Sequence, residues 1–385
     1  MAVVAVIRHG TANTNTLASM SSRLFEPVQV GRCALQHRIA MAPMTRRRAN
    51  NDYTATDLMR EYYAQRATTP GTLLISEAVA VCQRAAVWQN TPGLYTDAQV
   101  AAWQPITAAI HDKGSYVFAQ LWITGRAARP AAVAAGAEVV SSSDLAWAPD
   151  EAVPRPLRED EIWQFVEDYR VAARNAIRAG FDGVEIHGAN GYLVDQFLQD
   201  TCNRRTDGWG GSVERRARFG LEVARAVVRE IGADRVGFRI SPFNPHHGMR
   251  MKDPVPQFTY LLEQLRAFPE PLAYLHIIEA RVSGTLDTSL TDSIDCFVET
   301  WGNVSPVIVA GGYTIEGAQK ALDGKYRDRD VLVAFGRRFI STPDLPFRAK
   351  RGIAWEPYVR ATFQDVLSPV GYTDYPFSNE FSTKL

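Results

Sequence analysis

Cysteine is scarce in this 385-residue chain: there are four, Cys33, Cys82, Cys202 and Cys296. No two are close enough in sequence to act as a zinc or iron-sulfur ligand pair, so no metal site is expected, and such usage fits a reducing compartment. No run of about 18 apolar residues occurs, which leaves no candidate membrane-spanning helix. Excess charge of either sign is missing too. Lys plus Arg and Asp plus Glu each number 42, so no overall field exists to hold a nucleic acid or an anionic membrane. Also absent are a glycine-rich linker, an internal sequence repeat and the G-x-G-x-x-G fingerprint of a Rossmann site. The chain therefore reads as one domain, and a nicotinamide cofactor, if used, visits an existing pocket.

What is present is an ordinary globular composition, 46% apolar and 22% charged, at a length that suits an α/β barrel with insertions. Short β-rich apolar runs fall at 38–44, 72–77, 116–122, 183–187, 235–241, 274–278, 306–310 and 331–335. Helical periodicity separates them. Ile162, Phe165, Val166, Tyr169, Ala173, Ala176 and Ile177 form one apolar stripe, and Ala217, Leu221, Ala224, Val228 and Ile231 another. Eight strands alternating with helices predict an α/β fold, a single-domain (β/α)8 TIM barrel over 23–385, with a long insertion after strand three at 125–156. Glu159, Asp160 and Glu161 suit a helix start. The basic runs Arg46-Arg47-Arg48 and Arg215-Arg216 read as solvated faces or intramolecular pairs.

Residues 1–22 contain no acid, carry Arg8 and His9, and read as an unstructured extension. The ending Thr383-Lys384-Leu385 is one residue away from a Ser-Lys-Leu peroxisomal address. A cytoplasmic protein is the expectation, with an organelle as the alternative.

In an α/β barrel the chemistry sits where strands end. Polar residues do gather there: Thr45 after strand one, Gln120 in strand three, His187 at the end of strand four, Arg239 in strand five and Arg337 after strand eight. The densest cluster is His187-Gly188-Ala189-Asn190-Gly191-Tyr192. If the chain turns helical directly after the strand, His187 and Asn190 are three apart and can donate to one carbonyl oxygen, with Tyr192 reaching the other side of the substrate. Taken alone, a strand-end His is more often structural and an Asn-Gly more often a turn. His246 and His247 read as loop histidines, because neighbouring side chains point apart.

The ordered set of motifs is similar to the Old Yellow Enzyme family. It comprises Met41-Ala42-Pro43-Met44-Thr45-Arg46, Gln120-Leu121-Trp122, His187 to Leu193 with Asp195-Gln196-Phe197-Leu198, and Asp207-Gly208-Trp209-Gly210-Gly211-Ser212. Phe238-Arg239-Ile240-Ser241-Pro242-Phe243, Ala310-Gly311-Gly312 and Phe335-Gly336-Arg337 complete it. The resemblance covers about 24–377. It implies non-covalent FMN with its phosphate at Gly311, Gly312, Gly336 and Arg337, where loops after strands seven and eight commonly bind phosphate. Around the ring it implies Pro43, Met44, Thr45, Ala78, Gln120 and Arg239, the last stabilising the reduced anion. Substrate contacts are implied for His187, Asn190, Tyr192, Trp122 and Phe363.

The implied activity is NADPH-dependent reduction of a small activated alkene, the carbonyl held by His187 and Asn190 and the α-carbon protonated by Tyr192. Phenols, with an ordinary pKa of about 10, carry their proton at neutral pH. A monomer or homodimer is expected. Two rival readings share the fold: a flavin-dependent isomerase and a non-catalytic flavin or ligand-binding protein. The pattern departs from the family after Phe363, where Gln364 stands in place of a second aromatic, which bears on the pocket rim. Residues 281–295 are expected to form a mobile cap.

Overall fold

Strands with both faces buried read as continuous apolar runs, and eight such runs form the parallel wall of this protein. They are β1 (Ile39–Met41), β2 (Leu73–Ala80), β3 (Tyr116–Trp122), β4 (Gly183–Gly188), β5 (Val236–Ile240), β6 (Tyr274–Ile278), β7 (Val307–Ala310) and β8 (Val331–Phe335). Each pairs with the next, and β8 closes on β1 to complete the barrel. The computed structural model describes residues 22–383 apart from 129, 135 and 285. The expected extension, except Ser22, and the last two residues of the chain lie outside the described residues.

Most strand boundaries fall within one residue of the sequence expectation, and the two that differ by three do so for a physical reason. β1 ends at Met41, three residues early, because Ala42 to Thr45 leave the sheet to line a cavity. β2 runs on to Ala80 through a register shift between Ile75 and Ala78, a bulge that re-aims the end of the strand.

Helices pack outside the wall. Asp57–Arg66, Asp97–His111, Val213–Ile231 and Ile315–Lys320 start from Thr56, Thr96, Ser212 and Thr314, each accepting a backbone N–H as an N-cap. Helix Glu159–Arg178 uses its acidic first turn instead, Glu161 accepting from the Arg158 N–H at 2.8 Å. Its apolar stripe is buried up to Ala176, as is that of Val213–Ile231 at Ala217, Leu221 and Ala224.

Among the described residues two large apolar cores result, with a small third cluster of Ala78, Trp88 and Trp122. The larger lies between strands and helices. The smaller fills the barrel interior with Phe118, Tyr274, Ile308 and Leu332, and an antiparallel hairpin, Val28–Val30 with Cys33–Leu35, joins it. Gly31 of that hairpin lies against Asp234 and Ala273, at the N-terminal ends of β5 and β6, so the hairpin plugs that mouth. The large cavity opens at the opposite, C-terminal mouth.

The insertion after β3 is short helix, Pro130–Ala134, and a parallel pair of two-residue strands, Val140–Ser141 and Arg155–Pro156. Arg46 and Arg48 are not a solvated face. Both are buried, donating to carbonyls of Phe363, Thr362, Ser368, Val370 and Gly371, and both lie over the Tyr372 ring. They tie the C-terminal segment to the barrel. Among the described residues no helix is long and apolar enough to cross a membrane.

Candidate active site

At the end of β4 the chain does not turn directly into a helix. Asn190 and Gly191 adopt left-handed backbone (φ 57° and 74°), and the helix Leu193–Leu198 begins only after Tyr192. The expected proximity of His187 and Asn190 therefore comes from a tight turn. Its lock is the motif that follows: Asp195 accepts from the Gly191 N–H at 2.8 Å, and Gln196 donates to the Gly191 carbonyl at 2.7 Å. Glycine is required at 191 because a Cβ would sit 2.7 Å from His247 Cβ. Burial pushes the Asp195 carboxyl up to about 7.

His187 is buried and lines the cavity. Its Nδ1 accepts from the Ala189 N–H at 3.3 Å, which assigns the proton of the neutral ring to Nε2. Burial, reinforced by the Arg239 guanidinium, holds the ring well below the usual imidazole range, hence neutral. The Tyr192 ring is enclosed edge-on by Trp122 at 4.7 Å, His187 at 4.9 Å, His247 at 5.4 Å and Trp88 at 6.4 Å between centroids. Such a cage restricts the phenol to one orientation.

Beneath lies a buried polar layer. Gln120 donates to Glu185 Oε1 at 2.7 Å, and His276 Nδ1 lies 2.8 Å from Glu185 Oε2. Burial would raise Glu185, but His276, Arg239 and Gln120 outweigh it and hold the carboxyl below its ordinary value. Burial keeps His276 neutral, so its Nδ1–H donates to an ionised Glu185 whose charge Arg239 balances. Arg239 reaches the cavity, yet its Nε is buried with no hydrogen-bond partner. That orphaned donor is costly unless something in the cavity accepts from it.

At the far side Gly311 (φ 122°), Gly312 and Gly336 expose backbone beside Arg337. A Cβ on Gly311 would come within 3.0 Å of Glu279. Arg337 Nη1 is paired to Asp287 at 3.0 Å, and Arg281 Nε donates to the Gly311 carbonyl at 2.6 Å. Asp287 and Arg281 belong to the expected cap segment, which forms a small hairpin, Val282–Ser283 with Leu286–Asp287. A glycine cradle beside Arg337 at one end and a buried guanidinium Nε without a hydrogen-bond partner midway fit a flat ligand with a phosphate tail, as FMN is.

One cavity of about 1010 Å³ joins these parts, at the top of the range for small-molecule pockets and large enough for a cofactor with a second molecule. Pro43, Met44, Thr45, Ala78, Gln120, His187, Asn190, Tyr192, Arg239, Gly311, Gly312, Gly336, Arg337 and Phe363 all line it. Trp122, expected to touch substrate, is set one layer back at 1% exposure, against Tyr192. Gln364 lines the rim where an aromatic was expected. Sequence reasoning missed Trp88, Asp287, Asn244 and the cavity position of His246 and His247. Ser241, Asn244 and His247 all contact Asn190. Their only signal was proximity in sequence to Arg239.

Fold and mouth together define a barrel oxidoreductase of the flavin-binding class. The chain belongs to the NADH:flavin oxidoreductase / NADH oxidase family, whose sequence model matches residues 23–356, and within it to the Old Yellow Enzyme homologues. It is 55% identical to chanoclavine-I aldehyde reductase fgaOx3 of Penicillium roqueforti, covering 94% of this chain and 99% of that one. It is 47% identical to NADP-dependent oxidoreductase lnbE of Aspergillus flavus (94% and 98% covered) and to the probable inactive dehydrogenase easA of Claviceps fusiformis (94% and 96%). Among solved structures, the Old Yellow Enzyme homologue of Zymomonas mobilis superposes with a TM-score of 0.85 at 39% identity, over 92% of this chain and 99% of that one.

Proposed function

We propose that this protein is an FMN-dependent ene-reductase that uses NADPH to reduce an α,β-unsaturated carbonyl compound. Backbone at Gly311, Gly312 and Gly336 with the Arg337 guanidinium would hold the FMN phosphate, and Pro43, Met44, Thr45, Ala78, Gln120 and Arg239 would flank the ring. Bound there, FMN supplies two-electron redox chemistry between the nicotinamide and the alkene.

The chain's own residues do the rest. Two donors, His187 Nε2–H and the Asn190 amide, receive the substrate carbonyl oxygen, where negative charge builds as the alkene is reduced. A preorganised donor of this kind is worth roughly 10² to 10³ in rate. The Tyr192 hydroxyl gives its proton to the α-carbon and recovers one from solvent. The net change is one alkene and one proton consumed per NADPH. Trp88 and Trp122 hold the phenol in place.

The observation that carries this reading is the placement of His187, Asn190 and Tyr192 on one wall of a cavity whose other end is a glycine and arginine cradle. The names of the P. roqueforti and A. flavus relatives support a reductase using NADP. Because another relative is named probable inactive, turnover is the quantity to measure. Protein loaded with FMN is reduced anaerobically with NADPH while the flavin band is followed, and 2-cyclohexenone is then added. Bleaching followed by recovery is expected. Bleaching without recovery would refute alkene reduction with this acceptor, and failure to retain FMN would refute the cofactor assignment.

A further inference from the structure

The carbonyl site needs Asn190 to face the cavity with its NH2 rather than its oxygen, and a carboxamide can present either. The choice is made one loop away. A backbone N–H can only donate, and that of His246 donates to Asn244 Oδ1 at 2.9 Å. Asn244 Nδ2 is therefore the donating end, and it lies 3.0 Å from Asn190 Oδ1. With its oxygen so engaged, Asn190 has Nδ2 left for the cavity. The backbone cannot swing away, because Asn190 N–H donates to Ser241 Oγ at 2.7 Å and its carbonyl lies 2.8 Å from His247 Nδ1. Asn244 is only 1% exposed, which shields the relay from competing solvent.

We infer that Asn244 is a positioning residue that sets the polarity of the substrate site, making Asn190 a donor and so selecting ligands that present an acceptor. This rests on the reading that His187 and Asn190 bind a carbonyl. The two donors then share one logic, since the polarity of His187 is also fixed by a backbone amide, that of Ala189.

Asn244→Asp tests it. The substitution is nearly isosteric and keeps an acceptor for His246 N–H, but its second oxygen can only accept, so Asn190 must turn its NH2 to it and its oxygen to the cavity. Dissociation constants of cyclohexanone and cyclohexanol are measured on the FMN-loaded protein, together with kcat and KM for 2-cyclohexenone. Both probes are neutral, so their ratio reports hydrogen-bond polarity and not the added charge. The ratio should move toward the alcohol by about tenfold or more, and kcat should fall by roughly 10² to 10³, the cost of losing one such donor. Asn244→Ala, which removes the constraint without reversing it, should move the ratio in the same direction but less. Equal weakening of both ligands, or an unchanged ratio in both variants, overturns the inference. Wild-type protein that reduces no enone overturns the function reading itself, and this inference with it.

Discussion

At the residue scale the proposed chemistry turns on Tyr192. Its ring touches four other rings, so Tyr192→Phe removes a hydroxyl and leaves the cage intact. Flavin bleaching by NADPH should continue at close to the wild-type rate, while recovery with 2-cyclohexenone should slow by roughly 10² or more, the usual worth of a positioned acid. Stopped-flow measurement of both halves checks this; unchanged recovery would assign the proton to another donor. The cavity-lining positions of His187, Gln120 and Arg239 were legible in the sequence because apolar strands have no need of such residues. Asn244 and His247 were not, since their roles depend on one loop folding back onto another. Trp122 was legible as part of the site but not as its second layer, which only packing decides.

Elements were legible in proportion to their burial. The eight strands stood out as apolar runs; the hairpins at 28–35 and 282–287 are too short to carry a period, and both prove consequential. In the cap hairpin, Asp287 occupies the Arg337 guanidinium that a phosphate would need. Asp287→Asn removes that competitor and one negative charge, and should tighten FMN binding by about three- to tenfold, since hydrogen bonds between ionised groups are the stronger kind. Titration of FMN fluorescence reads this directly, and weaker binding would mean that Asp287 aligns Arg337 instead of occupying it. For the plug, Gly31 has φ 52°, and a Cβ there would lie 1.9 Å from the Asp234 carbonyl oxygen. Gly31→Ala should cost about 1–3 kcal/mol, seen as a lower urea midpoint. Because the plug closes the mouth opposite the cavity, kcat and KM should not move, and a changed KM would show that the two ends are coupled.

For the whole molecule the sequence gives a net charge of zero, which says nothing about how stability follows pH. That depends on which groups are buried. Burial pushes His37 and His247 down to about 4 and lowers His187, His246 and His276 as well. Below about 6.5 the unfolded chain holds protons on these five rings that the folded one sheds, down to about 4 for His37 and His247, so they make stability rise with pH through that window. Glu77 and Asp195, raised to about 7 by burial, act oppositely: the folded state keeps protons that the unfolded state has lost, and stability falls as pH rises toward 7. His111, raised by Asp182, is partly exposed and adds little. At pH 5 a fully buried neutral imidazole is worth up to about 2 kcal/mol; His37, His187 and His276 are buried and His246 and His247 partly so, and together they outweigh two carboxyls. The urea midpoint in saturating FMN should therefore be highest near pH 6.5–7 and lower at pH 5, with the slope of the transition unchanged. A higher midpoint at pH 5 would show that these imidazoles take up protons without unfolding, and the neutral His187 on which the carbonyl site depends would lose its footing.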